Sequence, residues 1–308
     1  MNFNSHLVSR PSSAQNADRY IWNVTVMNRR ALGSVLFGLL TGCMMMTASL
    51  PDQKTDRARE GLVGRVKEVV TKSDRGKTIQ TFDPAGALIE MESYVKPPPD
   101  QPEMGEQKQK FVYVYDPHGS RTSELIVEDG QQYLSRLYAY DQTGRKIAEA
   151  AYHMCGTFSS LHVYSHDTSG NVREDILFQF RSLSRQVFSH KDGLPVQQEA
   201  YKNGALRSTT TYTYDHSGRL TEQRVYQPDQ TLVNRTRYGY DERGNRIAEE
   251  TNDTNNPSLI VKRTSLYEYD TNGNWIKRTA RRSTALAGLD VPSAAPVTEV
   301  TERELTYY

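Results

Sequence analysis

From Gly61 onward, apolar and polar residues alternate with a period of two. The alternation is interrupted by Gly, Asp, Asn and Pro at the roughly 8–12-residue spacing that marks an all-β chain. In one run Leu232, Asn234, Thr236, Tyr238 and Tyr240 share one face of an extended chain, and Val233, Arg235 and Arg237 share the other. Successive side chains of a strand point to opposite faces, so this run predicts a strand with one aromatic-bearing face. No long stretch after the apolar run Ala31–Leu40 holds a 3.6-residue period, so no further helix is predicted. Two kinds of turn separate the runs. One is short and sits at Asp74-Arg75-Gly76, Glu128-Asp129-Gly130, Lys202-Asn203-Gly204, Pro228-Asp229-Gln230 and Asn252 to Pro257. Asp-Gly and Asn-Gly pairs suit the type I′ hairpin turn, which needs positive φ at both central residues.

The other turn belongs to a recurring phrase, Tyr-x-Tyr-Asp-x-x-Gly. It reads Tyr113, Tyr115, Asp116, Gly119, then Tyr138, Tyr140, Asp141, Gly144. It returns as Tyr212, Tyr214, Asp215, Gly218, as Tyr238, Tyr240, Asp241, Gly244, and as Tyr267, Tyr269, Asp270, Gly273. Weaker copies stand at Phe82-Asp83 with Gly86 and at Tyr164-Ser165-His166-Asp167 with Gly170. A decayed copy runs Phe188-Ser189-His190-Lys191-Asp192-Gly193, with Lys191 at the Asp position. From Asp116 the steps between phrase Asp residues are 25, 26, 48, 26 and 29, the 48 spanning the decayed copy. Asp at the first turn position accepts from backbone N–H groups further along, and Gly supplies positive φ. These residues are therefore expected to turn the chain. The sequence Asp270-Thr271-Asn272-Gly273-Asn274 lacks the alternating acids and terminal Glu of a calcium loop, so no metal is assigned.

Each repeat thus reads strand, turn, strand, turn. Nine hairpins and about eighteen strands are expected, in a long twisted or curled antiparallel meander sheet. Its two end strands would be unpaired and open to self-association. Two loops, residues 96–108 and 283–296, are long and rich in Pro or Ala, and read as insertions.

The start of the chain changes the picture. Met27-Asn28-Arg29-Arg30 precedes the apolar run Ala31–Leu40, followed by Thr41, Gly42 and Cys43. A basic region, a short apolar region and small residues make a secretory signal, and the run is too short for the ~20 residues of a membrane span. Leu40-Thr41-Gly42-Cys43 resembles the bacterial lipobox. That resemblance implies lipidation at Cys43, a membrane partner through the lipid, and, with Met44 next, the outer membrane. The expected organisation is an upstream extension over 1–26, a signal peptide over 27–42, a lipidated Cys and flexible tether over 43–60, and the repeat domain over 61–308.

Composition sharpens this. Hydrophobic residues make up 36% of the 308, and Tyr supplies 19 of 29 aromatics, so rings must do much of the packing. Beyond residue 42 there are 34 basic and 36 acidic residues, which removes the bulk field that nucleic-acid binding requires. With Cys43 lipidated, Cys155 has no intramolecular disulfide partner.

The phrase at about 25-residue spacing resembles the YD repeat of Rhs and teneurin-type proteins over roughly Gly61 to Gly273. The family winds such hairpins into β shells; large members enclose a C-terminal toxin and others mediate adhesion or carbohydrate contact. This chain has fewer repeats than a closed cocoon, and no toxin-like domain or self-cleavage motif is evident beside its last phrase. The resemblance therefore implies the repeat fold rather than a delivery machine.

Candidate chemistry is sparse. His153, Cys155, His162, His166 and Asp167 supply metal-ligand types at a spacing that matches no closed zinc motif. His166 and His190 stand at aromatic positions of weakened phrases. His118 and His216 fall inside Asp-x-x-Gly turns. There is no nucleophile elbow, phosphate-binding Gly loop or His-Glu-x-x-His. Lys277, Arg278, Arg281 and Arg282 form a basic run that reads as a solvated strand face. No catalytic residue and no cofactor is assigned. The expected function is a non-enzymatic, lipid-anchored envelope scaffold or adhesion module for protein or glycan, with an accessory of a polymorphic toxin system as the alternative.

Overall fold

The computed structural model describes residues 55–253, 259–286 and 295–308. The signal peptide, Cys43, the first part of the tether and most of the 283–296 loop lie outside the described residues.

The described chain opens with a single helical turn, α1 (Asp56–Arg59), and continues as eighteen strands. These are β1 (Val66–Ser73), β2 (Gly76–Phe82), β3 (Leu88–Val95), β4 (Gln107–Tyr115), β5 (Arg121–Glu128) and β6 (Gln131–Tyr140). Then come β7 (Lys146–Tyr152), β8 (Phe158–His166), β9 (Val172–Gln179), β10 (Ser182–Lys191), β11 (Leu194–Lys202) and β12 (Ala205–Tyr214). The last are β13 (Leu220–Tyr226), β14 (Leu232–Tyr240), β15 (Arg246–Asp253), β16 (Leu259–Tyr269), β17 (Trp275–Leu286) and β18 (Val297–Tyr307). Each strand pairs antiparallel with the next, as the alternation predicts.

The last strand then returns to the first. Val66 lies opposite Tyr307, Val69 opposite Leu305 and Ser73 opposite Thr301. The sheet is a closed barrel, not an open meander. Two expectations fall with that. Among the described residues both end strands are paired, β1 with β18, so the edges invoked for self-association are taken up by closure. Nor are there nine separate hairpins, because every described strand bonds to a neighbour on each side.

Closure has a repeating cause. Val114 pairs with Ser123 but Tyr115 with Arg121, which leaves Thr122 as an extra residue in the outgoing strand. The same bulge follows the second aromatic position of every phrase, at Phe82, Tyr140, His166, His190, Tyr214, Tyr240 and Tyr269. A bulge bends its strand and increases local twist. Eight bulges near one rim curl the sheet until its ends meet. Eighteen strands at ~4.8 Å spacing and ~40° tilt give a barrel on the order of 35 Å across between backbones, too wide for side chains alone to fill.

Closure also separates the two faces. On β18, Glu299, Thr301, Arg303, Leu305 and Tyr307 are half-buried, while Val300, Glu302, Glu304 and Thr306 between them are exposed. The crowded concave side is the lumen, and pairing register carries that assignment around the barrel. Tyr113, Glu124, Thr210, Thr236, Ser265 and Ala280 are buried on the lumen face, whereas Val114, Val163, Phe178, Leu266 and Val300 are exposed on the outer one. Hydrophobic burial is local. Leu62, Val66, Val69, Phe82, Leu88 and Tyr113 form one cluster with Met91, Phe111, Leu305 and Tyr307 where β18 meets β1–β4. At ~1.5–3 kcal/mol per buried side chain, this cluster is the apolar fastening of the seam.

The segment before β1 is part of that fastening. Arg57 N–H donates to Gly86 O at 3.0 Å. The Asp56 carboxylate accepts from Leu88 N–H at 3.0 Å and from Tyr115 OH at 2.7 Å. Residues 55–60 are therefore docked on the barrel, and the expected tether does not run to residue 60. A carboxylate that meets an orphan N–H, a phenol and the Arg121 guanidinium explains why the chain settles there.

Candidate functional site: the lumen wall and its rim cleft

All phrase turns lie at one rim of the barrel, because every second strand ends there. The Asp of each phrase builds its turn with one oxygen. Asp116 Oδ1 accepts from His118 and Ser120 N–H at 2.9 and 2.8 Å. Asp215 does the same with Ser217 and Arg219, Asp241 with Arg243 and Asn245, and Asp270 with Asn272 and Asn274. Asp141 accepts from Thr143 and Arg145 N–H. Burial pushes the Asp141 carboxyl up, but hydrogen bonds from Thr143 and Arg145 together outweigh it and hold the value down at about 2. The closing glycines, Gly119, Gly144, Gly218, Gly244 and Gly273, have φ between 76 and 89°. His153–Gly156 and Gln227–Gln230 make the same turn at the opposite rim without the Asp. The decayed copy differs: Asp192 and Gly193 have φ of 53 and 77°, a two-residue hairpin turn that needs no Asp-x-x-Gly.

Both tyrosines of each phrase face the lumen, and their roles differ. The second reaches sideways to the preceding outgoing strand. Tyr140 OH donates to Arg121 O, Tyr214 to Pro195 O and Tyr240 to Leu220 O, at 2.7–2.9 Å, while the one Tyr115 proton is shared between Leu88 O and Asp56 Oδ2, each 2.7 Å away. In the last repeat Tyr269 OH donates instead to Asp241 Oδ2 at 2.9 Å, and Tyr307 OH to Asp270 Oδ2 at 2.6 Å. The first tyrosine packs along the wall: Tyr138 takes Lys146 over its ring, Tyr238 takes Arg246, and Tyr212 OH bonds to Gln198. Tyr267 lies edge-on to Trp275, with centroids 6.0 Å apart. Burial pushes Tyr113 up to about 12. The phrase residues thus form the fabric of the wall.

The His and Cys residues of the middle repeats do not converge. His162 Nδ1 pairs with Asp175 Oδ1 at 2.9 Å, and its ring stacks on Tyr164. Cys155 is exposed, its Sγ 3.1 Å from Thr157 Oγ1, and that hydrogen bond holds the thiol below its ordinary value. Among the described residues no three His, Cys, Asp or Glu side chains gather as metal ligands.

The structure does form a cleft at the phrase-turn rim, where α1 lies against β4–β7. Its volume is about 500 Å³, and Tyr115, Tyr138, Tyr140, Arg59, Arg121 and Lys146 are among its lining residues. Arg121 stacks over the Tyr113 ring at 4.2 Å and pairs with Asp56 at 3.3 Å. Lys146 lies over the Tyr164 ring at 4.7 Å and pairs with Glu149 at 2.8 Å. Flat rings beside cationic groups suit sugar or peptide contact. No local sequence signal marks this cleft, which needs α1 docked beside two phrases. The basic run near the C-terminus is split by the strand period: Lys277 and Arg281 point outward, Arg278 and Arg282 into the lumen.

No protein-family model matches the chain, and no curated protein matches it. Among solved structures, a porin-like protein from Bacteroides uniformis is 11% identical over 79% of this chain and 99% of its own, with a TM-score of 0.43. A porin-like protein from Bacteroides vulgatus is 10% identical over 79% of this chain and 98% of its own, with a TM-score of 0.34. The Photorhabdus luminescens Tc holotoxin pore is 12% identical over 66% of this chain and 15% of its own, with a TM-score of 0.18.

Proposed function

We propose that the protein is a lipid-anchored cell-envelope barrel that binds protein or glycan without catalysing a reaction, held at the outer membrane through Cys43 rather than spanning it. The observation that carries this reading is the outer wall. A membrane-spanning barrel needs an apolar band ~25 Å tall all the way round. Here Glu222 meets Arg224, Arg235 and Arg237 on the outside of β13 and β14, and Lys262 meets Glu250 at 3.6 Å on the next two strands. Lys110 pairs with Glu90 at 2.8 Å and Lys277 with Glu268 at 3.4 Å on other outer sectors. Among the described residues the apolar sector is the row Val114, Leu137, Ala150, Leu161, Phe178 and Leu183 across β4–β10, broken by Ser123 on β5. Charged side chains at bilayer depth cost ~2–4 kcal/mol each on a barrel's lipid face, and here they stand on β3, β4 and β13–β17.

Secreting the chain from Met44 onward behind a cleavable, non-lipidated signal tests the reading. The expected product is water-soluble and folded, while the natural chain sediments with membranes and its processing is blocked by globomycin. A non-lipidated barrel that resists alkaline extraction from the membrane would overturn it. The binding half is tested on the full chain with a glycan and surface-protein screen, in which Arg121→Gln and Lys146→Gln should weaken any ligand held in the rim cleft. Retention of every ligand by both variants would remove the cleft from the reading.

A further inference from the structure

The lumen wall of β16–β18 carries four arginines without a carboxylate of their own. Arg263 and Arg282 lie directly opposite each other across β16 and β17, both exposed on the lumen side. Arg278 lies on the same face as Arg282, four residues toward the phrase rim with Ala280 between them. Arg303 is its diagonal neighbour, since Arg278 pairs with Thr301. Between the two pairs the floor is small and buried: Ser265 opposite Ala280. Below it, the Arg303 guanidinium stacks on the Trp275 ring at 3.6 Å.

Like charges directly opposite one another destabilise a sheet. Nothing in the wall offsets this. Among the described residues none of the four forms an ion pair. Two lumen carboxylates on this and the adjoining strands are engaged elsewhere: Glu249, opposite Arg263, bonds Arg246 at 3.3 Å, and Glu299, opposite Ala280, lies 3.6 Å from Arg75. Arg278 Nε and Arg303 Nε are buried without a hydrogen-bond partner. Burial, with Arg278 beside it, holds the Arg303 guanidinium below its ordinary value despite the attraction of Glu60. The rim cleft is different in kind, because Arg121 and Lys146 have Asp56 and Glu149. A wall that keeps two buried, unsatisfied guanidinium N–H groups within a cluster of four is arranged for something that is not part of the chain.

We infer that this wall is an anion-binding site for an acidic saccharide, with Arg263, Arg278, Arg282 and Arg303 holding its paired oxyanions and Trp275 stacking near the sugar ring. The planar guanidinium fork takes a carboxylate, sulfate or phosphate through two parallel bonds, and an aromatic face beside it suits a pyranose. Four forks suit a ligand with at least two charged groups. The inference rests on the reading of the barrel as a binding module and deepens it; it does not depend on lipidation.

The test is titration of the full chain, purified in detergent, followed by Trp275 fluorescence. Three probes are used: a heparin-derived hexasaccharide, hexagalacturonate and neutral maltohexaose. The expected result is binding of at least one acidic probe and none of maltohexaose. Arg278→Gln and Arg303→Gln should each weaken it at least tenfold, and added salt should weaken it too. Thermal melting separates this from a structural role. If the arginines are kept for a ligand, both variants melt at or above the temperature of the natural protein, because a repulsion has been removed. Failure of both acidic probes to bind, equal binding of maltohexaose, or variants that melt lower yet bind as well would each overturn the inference. Such a failure leaves the membrane-fractionation result standing, so the two readings fall separately.

Discussion

Replacing Asn274 by Ala tests how the barrel is closed. Asn274 is 2% exposed and sits where the last phrase turn, the first strand and the last strand meet. Its Oδ1 accepts from Val63 N–H at 2.7 Å, and its Nδ2 donates to Val63 O at 2.9 Å and to Tyr307 OH at 2.8 Å. The turn itself survives the change, since Asp270 Oδ1 bonds the backbone N–H of residue 274. Tyr307 also survives, because it keeps Asp270 Oδ2. The loss therefore falls on the two Val63 backbone groups. Val63 is itself 51% exposed, so water reaches the freed groups and each lost bond costs ~1 kcal/mol, about 2 kcal/mol in total. For a domain of this size 1 kcal/mol moves Tm by ~2–4 °C, which puts the drop at roughly 4–8 °C. Hydrogen exchange localises it: the amides of Val63 and of the β1–β18 seam should lose protection, while β8–β12 across the barrel keep theirs until global unfolding. A Tm change below ~2 °C with an unchanged seam would refute the claim that this side chain fastens the closure.

Tyr240→Phe removes the bond to Leu220 O and should cost ~1 kcal/mol, read as a Tm drop of ~2–4 °C. For Asp141, a folded value near 2 lies below the unfolded ~3.9, so its contribution is present above pH ~4 and is lost as pH falls through 2. Carboxyl NMR should show a midpoint near 2 at this residue, and a midpoint near 4 would contradict the bonding described. Asp56→Ala frees α1, and trypsin should then cut after Arg57 and Arg59 at least tenfold faster with the strands intact; equal rates would mean the segment is not held by that carboxylate.

The strands and the turn residues were legible because each depends on neighbours in sequence. Tyr238 and Tyr240 share a face by parity alone, and Asp215 finds Ser217 and Arg219 within its own turn. Closure was not legible. It depends on Val66 meeting Tyr307 across the length of the domain, and on a bulge residue such as Thr122 that no local rule marks. The tyrosine bonds were missed for the same reason: Tyr214 reaches Pro195, a partner fixed only once the intervening strands are in register. Docking of Asp56 could not be read from a polar stretch that looks like a tether. The arginine wall was hidden differently. Arg278 and Arg282 stood in one basic run with Lys277 and Arg281, and the strand period places half of that run outside, where Glu268 meets Lys277, and half inside, where no ion partner meets it.

The repeat also fixes which end of the barrel does what. A phrase ends every second strand, so the phrase Asp turns, the eight phrase bulges and the docked α1 share one rim. The opposite rim takes the connections that are free to vary: the loop after β3 with its 3-10 turn at Pro102–Met104, and the loops between β15 and β16 and between β17 and β18. The phrase rim is held by Asp turns and tyrosine bonds and tolerates little change in length. The other rim has two turns of this form, His153–Gly156 and Gln227–Gln230, without the Asp and tyrosine bonds, and it takes the long loops. The arginines of β16–β18 stand between the two rims, on a wall whose geometry the repeats fix.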